Sequence, residues 1–364
     1  MTEWKECDLK SICSRLSSGK GISAKLISEN DVYPVYGGNG IRGFTNTSNF
    51  NGECAIVGRQ GAYCGNVRYF RGEAYMTEHA VVICANEDNC TRYLSYLLTT
   101  MNLKRLSGQS AQPGLSVKTL EKQKIRIPDK KVQMKCAELL GSLDEKIIRN
   151  EKINKNLEEQ AKAIYQKMFI DNPDNYWNEG SLSDIANITM GQSPSGSSYN
   201  DDGIGTVFFQ GRAEFGFRFP TIRLYTTNPK RMAGANDILM SVRAPVGDLN
   251  IAHEDCCIGR GLAAICSKTS YQSFILYTMF SLKKQLNVFN GEGTVFGSIN
   301  RNSLNDMPIL IPSDEQIEKF ELIVAPMDAA IRNNYDEICR LQVVRDSLLP
   351  RLMSGEIDVS NLDI

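Results

Sequence analysis

The amino-acid sequence predicts an α+β protein with an internal repeat, in which two globular heads alternate with two long helices that pair as an antiparallel coiled coil. Three observations predict this fold class. Residues 143–168 have a heptad pattern that recurs without a gap over residues 327–352. Each heptad segment follows a head that opens on a tryptophan, Trp4 or Trp177. Both heads also share one order of short strand-like and helix-like segments.

The heptad pattern places mostly apolar residues at alternating steps of four and three, and adding 184 to each number of the first seam gives the second. The seam positions are Leu143, Ile147, Asn150, Asn154, Leu157, Ala161, Ile164 and Met168, then Met327, Ile331, Asn334, Ile338, Leu341, Arg345, Leu348 and Leu352. Polar seam residues lower the stability of a coiled coil but fix its register. Because a single chain must fold back to pair its own helices, we expect an antiparallel pair of about 28 residues, roughly 40 Å long. The alternative is two amphipathic helices that each pack on their own domain.

Within the heads, each half shows a short apolar strand followed by a glycine-bearing loop with one arginine, and we match Arg59 to Arg243. A short apolar helix follows, over residues 93–101 or 274–282, and then a strand that ends in Ile-x-Ile-Pro. These segments predict a first head over residues 1–130, a first helical region over 131–172, a second head over 173–313 and a second helical region over 314–358.

Local signals predict where the long helices begin and end. Ser313 and Gln316 have the spacing of a capping box, and Gly355 is placed as a C-cap. The pairs Gly141-Ser142 and Ala325-Pro326 predict a break in each helical region, and Pro350 predicts a kink or an early end. The first long helix should stop near residues 171–173.

The composition is that of a globular protein, with 42% hydrophobic and 23% charged residues among 364. No apolar run approaches 18 residues and the N-terminal segment is polar, so we expect no membrane span and no signal peptide. Eleven cysteines without a Cys-x-x-Cys motif fit free thiols in the cytoplasm. The net charge is −1, yet residues 1–130 have 17 Lys and Arg against 12 Asp and Glu, so any nucleic-acid surface must be local.

Signatures of catalysis are weak. Residues 38–43 match Gly-x-Gly-x-x-Gly, but the residues that follow are a poor helix start, which favours a turn-rich loop over a dinucleotide site. The two histidines, His79 and His253, have no cysteine or histidine spacing that suits zinc. We therefore expect a reader of sequence rather than a catalyst, and no metal or cofactor bound by this chain.

Loops that mix arginine, glutamine or lysine with glycine and aromatic residues are the candidate readers, because Arg and Lys bond to guanine and Gln to adenine in the major groove. Other basic residues near these loops could contact phosphates. The candidate DNA-binding residues are Arg59, Gln60, Tyr63, His79, Lys104, Arg105, Ser110, Gln112, Gln192, Ser193, Gln210, Arg212, Arg218, Arg243, Lys283, Lys284 and Arg301.

The chain resembles the DNA specificity subunit of type I restriction–modification enzymes. The resemblance rests on the order head, helix, head, helix and on three phrases. These are Gly191-Gln192-Ser193-Pro194 followed by Phe208-Phe209-Gln210-Gly211, then Ser241-Val242-Arg243-Ala244-Pro245-Val246-Gly247-Asp248, and the closing Leu348-Leu349-Pro350-Arg351-Leu352-Met353-Ser354-Gly355-Glu356-Ile357. It covers residues 4 to about 358, and the first head matches by plan more than by phrase.

The resemblance implies that each head is a target-recognition domain for half of an asymmetric double-stranded DNA site. It also implies that the paired helices dock two methyltransferase subunits, to which restriction and motor subunits are added. S-adenosylmethionine, ATP and Mg²⁺ would then belong to the partner subunits, and methylation would fall on adenine N6. Two alternatives remain open: a methyltransferase or nuclease with degenerate motifs, and a scaffold or carbohydrate-binding protein on a coiled-coil stalk.

Overall fold

The structure, a computed structural model, describes residues 3–107, 114–291 and 297–362, and packing divides the chain into two compact units. The first unit comprises Met1–Asn150 and Asp336–Ile364, and the second comprises Glu151–Tyr335. Each unit therefore contains one head together with a segment of both long helices. This division differs from four consecutive domains because the helices are shared between the units.

The described residues of the first half form eight strands and three helices, up to the end of the first long helix. They are β1 (Trp4–Asp8), β2 (Cys13–Ser18), β3 (Tyr33–Gly37), β4 (Gly40–Thr45), β5 (Phe50–Gly58), β6 (Val67–Met76), β7 (Ala80–Ala85), α1 (Thr91–Thr100), α2 (Val117–Glu121), β8 (Lys124–Pro128) and α3 (Lys130–Tyr165). A π-helical turn, Gln166–Ile170, ends the helix at the predicted place.

The second half repeats the plan with more strands. Its elements are β9 (Asn178–Ser181), α4 (Leu182–Ile185), β10 (Ala186–Met190), β11 (Tyr199–Asn200), β12 (Thr206–Phe209), β13 (Tyr225–Thr226), β14 (Met232–Ala233), β15 (Ile238–Val242), β16 (Val246–Ile251), β17 (Cys256–Ile258), β18 (Leu262–Ser267), α5 (Gln272–Ser281), α6 (Lys283–Asn287), α7 (Arg301–Asn305), β19 (Pro308–Ile311) and α8 (Asp314–Ser354). Short 3-10 turns lie at Leu9–Ile12, Ala24–Leu26, Gly61–Tyr63, Leu103–Leu106, Gly196–Ser198, Arg212–Glu214 and Val288–Asn290.

The internal repeat extends to strand register. Strands β1 and β8 pair antiparallel with Lys5 opposite Ile127, and β9 and β19 pair with Asn178 opposite Ile311. Asn178 is 173 residues beyond Lys5, and Ile311 is 184 residues beyond Ile127, which are the two offsets found in the sequence. The predicted repeat is therefore present at the level of single residue pairs.

The main sheets repeat as well. Four strands in the first unit lie in the order β2-β7-β5-β6, and four in the second lie in the equivalent order β10-β18-β15-β16. The units differ in what is added. The first extends its sheet with β3, parallel to β6, and with β4, whereas the second forms a separate sheet in the order β11-β13-β12-β17-β14.

Each unit packs a short apolar helix on its main sheet, as the sequence predicts. In the first unit Tyr93 and Leu94 of α1 are buried against Val57 and Ile83. In the second, Phe274 and Tyr277 of α5 are buried beside Phe320 of α8. Each such side chain stabilises the fold by about 1.5–3 kcal/mol on burial.

Helices α3 and α8 run antiparallel within each unit, and every predicted seam position is buried or half-buried. In the first unit Arg345 Nη1 lies 3.0 Å from Asp144 Oδ1, and Asn150 Nδ2 donates to Glu337 Oε2 at 2.7 Å. In the second unit Asn334 Nδ2 donates to Asn154 Oδ1 at 2.8 Å. The polar seam residues thus pair across the two helices, which fixes their register.

The predicted breaks are wrong, because α3 and α8 are continuous helices of 36 and 41 residues. Gly141 is needed for the close approach of Arg92, whose Nη2 donates to the Gly141 carbonyl at 3.1 Å; a Cβ there would lie 2.4 Å from Arg92 Cζ. Pro326 leaves the carbonyl of Leu322 without its helical donor, but Leu322 is exposed, so water can replace that bond.

Two further predictions about helix ends have different outcomes. The side-chain oxygen of Gln316 accepts a 2.7 Å hydrogen bond from the Trp177 indole, so its amide is used for tertiary contact rather than in the expected capping box. Pro350 does not end α8, which continues to Ser354, whereas Gly355 has a φ of +81° and is the predicted C-cap. A Cβ at Gly355 would also lie 2.6 Å from the Trp4 ring.

Among the helices in the described part of the chain, none is both long enough and apolar enough to cross a bilayer.

Candidate nucleic-acid interface

In the first unit, the loops at the ends of β2, β3 and β5 pack backbone against backbone, and we call this surface the glycine-packed edge. A Cβ at Gly38 would lie 3.3 Å from the His79 carbonyl oxygen, and one at Gly58 would lie 2.3 Å from that of Tyr63. A Cβ at Gly19 would lie 2.1 Å from the Met76 carbonyl oxygen. The approaches at Gly19 and Gly58 leave no room for a side chain and that at Gly38 leaves little, so glycine at these positions lets the loops converge.

Several predicted residues lie around this glycine-packed edge. Arg59 Nη1 is 3.5 Å from both Ser18 Oγ and the Glu78 carbonyl oxygen, and His79 Nε2 is 3.3 Å from Glu78 Oε1. Gln60 is exposed and Tyr63 is 45% exposed. Exposed Lys104 and Arg105 lie on the turn against which Gly65 packs. Predicted residues Ser110 and Gln112 lie outside the described residues.

Two arginines beside this edge were missing from the prediction. The Gly-x-Gly-x-x-Gly match forms the hairpin between β3 and β4, which confirms a turn in place of a dinucleotide site. Arg42 packs over Gly37 in this hairpin, and Arg68 Nη2 lies 3.4 Å from the Asn39 carbonyl oxygen. Both arginines are exposed. The glycine-rich turn is a sequence signal for Arg42, whereas Arg68 lies on β6.

The second unit has an equivalent edge with different side chains. A Cβ at Gly191 would lie 2.1 Å from the Gly259 carbonyl oxygen, and one at Gly261 would lie 2.8 Å from that of Gln210. Ser193 Oγ accepts a 3.2 Å hydrogen bond from the backbone N–H of Arg260, an exposed residue that the prediction also missed. Predicted residues Gln192 and Gln210 are exposed at this edge.

Backbone hydrogen bonds show which positions of the two edges are equivalent at the ends of β2 and β10. Gly19 N donates to Ala80 O at 3.0 Å, and Gly191 N donates to Leu262 O at 2.9 Å. Lys20 N and Gln192 N then donate to Met76 O and Ile258 O, each at 2.9 Å. Lys20 is therefore the counterpart of Gln192, although the sequence comparison did not single it out.

The same comparison corrects the match between Arg59 and Arg243. Arg59 N donates to His79 O at 2.9 Å, and the equivalent bond runs from Val242 N to Gly261 O at 2.9 Å. The next residues, Gln60 and Arg243, then form equivalent isolated β-bridges, Gln60 with Gly114 and Arg243 with Ser298. Arg243 therefore corresponds to Gln60. The sequence match is displaced by one residue because it pairs the two arginines, whereas the strand pairing makes Gly58 equivalent to Ser241.

Two predicted cations of the second unit share one carboxylate. Arg212 forms an ion pair with Asp248, and Lys283 Nζ lies 2.6 Å from Asp248 Oδ1 and 2.8 Å from the Gly247 carbonyl oxygen. Burial alone would raise the pKa of Asp248, but hydrogen bonds and charge from Lys283 and Arg212 lower it from its ordinary value of 3.8. Much of the charge of both cations is therefore compensated within the unit.

The structure contradicts Arg218 as a DNA contact. Its side chain is 3% exposed, with Nη2 3.1 Å from Asp328 Oδ1 and Nε 3.4 Å from Glu158 Oε2. A guanidinium buried against carboxylates of both long helices is unavailable to DNA, and its role is to hold the head to the helices. Predicted residues Lys284 and Arg301 are exposed, on α6 and at the start of α7.

Among the residues that the structure describes, no metal-ligand cluster is found, and the thiols of Cys13 and Cys54 stay protonated. No group of three or more described His, Cys, Asp or Glu side chains is placed to hold a metal ion. Burial raises the pKa of the Cys13 and Cys54 thiols to about 12, which keeps them protonated and unreactive at neutral pH. The side chains that do converge are cations and amides, which bind rather than react.

Exposed cations and amides on the loops of a repeated α+β unit indicate the class of nucleic-acid-binding proteins. The chain belongs to one family within this class. The family model for the type I restriction modification DNA specificity domain matches it twice, over residues 1–159 and 175–334. This confirms the predicted family and makes the chain a non-catalytic subunit that recognises DNA sequence.

The similar proteins that follow are also specificity subunits of type I restriction enzymes. The chain is 29% identical over 323 residues to a putative type I restriction enzyme MjaX specificity subunit of Methanocaldococcus jannaschii, over 82% of this chain and 76% of the relative. It is 40% identical over 134 residues to the type I restriction enzyme EcoprrI specificity subunit of Escherichia coli, over 36% and 33% of the two chains. The crystal structure of a type I restriction–modification S subunit from M. genitalium shares the fold, with a TM-score of 0.67, 16% identity and 96% of each chain covered.

Proposed function

We propose that this chain reads an asymmetric, bipartite site in double-stranded DNA, with one unit on each half of the site. One observation supports this most strongly. The two units share their strand order and their glycine-packed loop edge, yet equivalent positions differ, as Lys20 and Gln192 do. Equivalent loop positions with different cations and amides would recognise different bases, because Arg or Lys selects guanine and Gln selects adenine.

The proposed partners are two methyltransferase subunits and the restriction and motor subunits of the same system. Large apolar side chains on α8 support a docking role for the helices, since Leu322 is 71% exposed and Val343 is 70% exposed. The net charge of −1 supports partners that share the phosphate contacts. S-adenosylmethionine would be held by the methyltransferase, and ATP and Mg²⁺ by the motor subunit.

The long helices would set the gap between the half-sites. With 36 and 41 residues, α3 and α8 are roughly 54 and 62 Å long. Half-sites one helical turn apart are separated by about 34 Å, which is within that reach. We place the complex in the cytoplasm, where all eleven cysteines would remain the free thiols that the structure contains.

The test is to express the chain with its methyltransferase and to map N6-methyladenine across a genome. The proposal predicts one asymmetric sequence in two parts, with a fixed gap of unspecified bases and a methylated adenine in each part. An uninterrupted palindromic site, or the same methylation from the methyltransferase without this chain, would contradict it.

A further inference from the structure

Two loop positions that occupy equivalent places in the two units carry exchanged side chains. In the first unit they are Lys20 and Gln60, and in the second they are Gln192 and Arg243. At these two positions each unit thus has one cation and one glutamine. The cation Lys20 follows β2 in the first unit, whereas the cation Arg243 follows β15 in the second. All four residues are exposed.

The two positions flank one strand in each unit. Gly19 and Arg59, the residues before Lys20 and Gln60, donate hydrogen bonds to Ala80 and His79, at the start of β7. Gly191 and Val242 donate in the same way to Leu262 and Gly261, at the start of β18. Because β7 lies between β2 and β5, the backbone at the two positions lies on either side of β7, two strand spacings or about 10 Å apart.

That separation suits base reading. About 10 Å corresponds to roughly three base-pair steps along the duplex, at about 3.4 Å a step. A cation bonds to O6 and N7 of guanine, and a glutamine bonds to N6 and N7 of adenine. The backbone bonds on either side fix both positions, which lowers the cost of ordering the side chains on DNA.

We propose that these four residues are two matched pairs of base-reading positions, and that the guanine-reading and adenine-reading positions are exchanged between the first and the second unit. The inference rests on the proposed function. It deepens that function by assigning specificity to Lys20, which neither the repeat pattern nor the family phrases single out. It also makes Gln60, rather than Arg59, the position equivalent to Arg243.

The test is the double variant Lys20→Gln/Gln60→Arg in the complete complex with the methyltransferase. It leaves the net charge unchanged and gives the first unit the chemistry of the second. Two base pairs of the first half-site, about three steps apart, should exchange their preferences for guanine and adenine. Each preference ratio should shift by roughly 5- to 140-fold, and the second half-site should stay as it is.

Single variants separate base reading from phosphate contact. If Lys20 contacts a phosphate, Lys20→Gln will weaken binding to all sequences alike and lower the salt dependence by about one charge, which would overturn the inference. The control is Lys10→Gln. Lys10 is exposed, precedes the start of β2 and forms an ion pair with Glu121 at 3.2 Å, so this variant should leave both half-sites unchanged.

Failure of the inference and failure of the proposed function are distinguishable. A wild-type complex that methylates a bipartite site, together with a folded double variant that methylates the same site with the same discrimination, overturns only the inference. If thermal unfolding shows that the first exchange does not fold, the reciprocal exchange Gln192→Lys/Arg243→Gln makes the same prediction for the second half-site.

Discussion

The hydroxyl of Tyr277 donates a 2.9 Å hydrogen bond to Asp328 Oδ1. The equivalent bond in the first unit joins Tyr96 to Asp144 Oδ2 at 2.5 Å. In each unit a tyrosine of the short apolar helix therefore holds an aspartate of a long helix. An arginine completes each group, but Arg218 comes from the head and Arg345 from the other long helix. Both units thus share the tyrosine–aspartate link between head and helix, whereas the arginine beside it comes from a different element in each unit.

Removing the Tyr277 hydroxyl should destabilise the protein. Tyr277→Phe removes one hydrogen bond from each of Asp328 and Arg218, and a hydrogen bond to a charged group contributes about 1.5–3 kcal/mol. Urea unfolding measures the change. The matched control is Tyr176→Phe, because Tyr176 is 92% exposed. Equal stability of the two variants would show that the hydroxyl contributes nothing to the link.

Arg218 is expected to act on stability rather than on base discrimination. Arg218→Ala leaves Asp328 without its cation and Glu158 with Lys162 alone, and breaking a buried ion pair in this way costs about 3–5 kcal/mol. Arg223→Ala, on the same loop but with a 67% exposed side chain, should change the free energy of unfolding by less than about 1 kcal/mol. A stable Arg218→Ala protein with altered base preference would restore Arg218 as a reader.

Asp248 should give the protein a stability that depends on acid pH. Its folded-state pKa is lowered, so its ionisation stabilises the fold at neutral pH, and this contribution is lost as the pH falls through the folded pKa. Wild type should therefore be more stable than Asp248→Asn at pH 7, and the difference should shrink below about pH 4. Unfolding free energies of both proteins between pH 7 and pH 3 provide the measurement; a difference that is constant with pH would contradict the assignment.

Much of the fold could be predicted from the sequence because hydrophobic periodicity and repeat spacing are local signals. The seam from Leu143 to Met168 and the two Ile-x-Ile-Pro strands follow from such patterns. The continuity of the helices did not follow, because the reason for Gly141 is the distant side chain of Arg92. Local helix signals do not contain that contact.

The site was less predictable for the same reason. Arg218 lies in a polar, glycine-bearing loop and resembles a reader, but its carboxylate partners are far away in the sequence, at Glu158 and Asp328. The counterpart of Gln192 is a lysine, so only the hydrogen-bond pattern identifies Lys20. Side chains at equivalent loop positions differ between the two units, and a repeat pattern detects only what the units share.

The glycine-packed edge should tolerate no side chain. Gly191→Ala would place a Cβ 2.1 Å from the Gly259 carbonyl oxygen, so the loops that present Gln192 and Ser193 must move. We expect loss of discrimination at one half-site and retention of the other, as measured by methylation mapping. Gly196→Ala is the control, because nothing lies within 4 Å of its Cβ position. Unchanged discrimination by Gly191→Ala would mean that this edge does not read DNA.

The proposal that the long helices separate two DNA-reading units is tested most directly by removing one heptad from each helix. The quantity to measure is the length of the gap between the two half-sites. Deleting residues 146–152 and 335–341 together removes both members of the Asn150–Glu337 pair and leaves the Asn154–Asn334 and Asp144–Arg345 pairs intact. The spacer should shorten by about 10 Å, or about three base pairs. Methylation mapping should then show both half-sites unchanged and the gap shorter by about three base pairs. A gap of the original length, with both half-sites still recognised, would contradict the account.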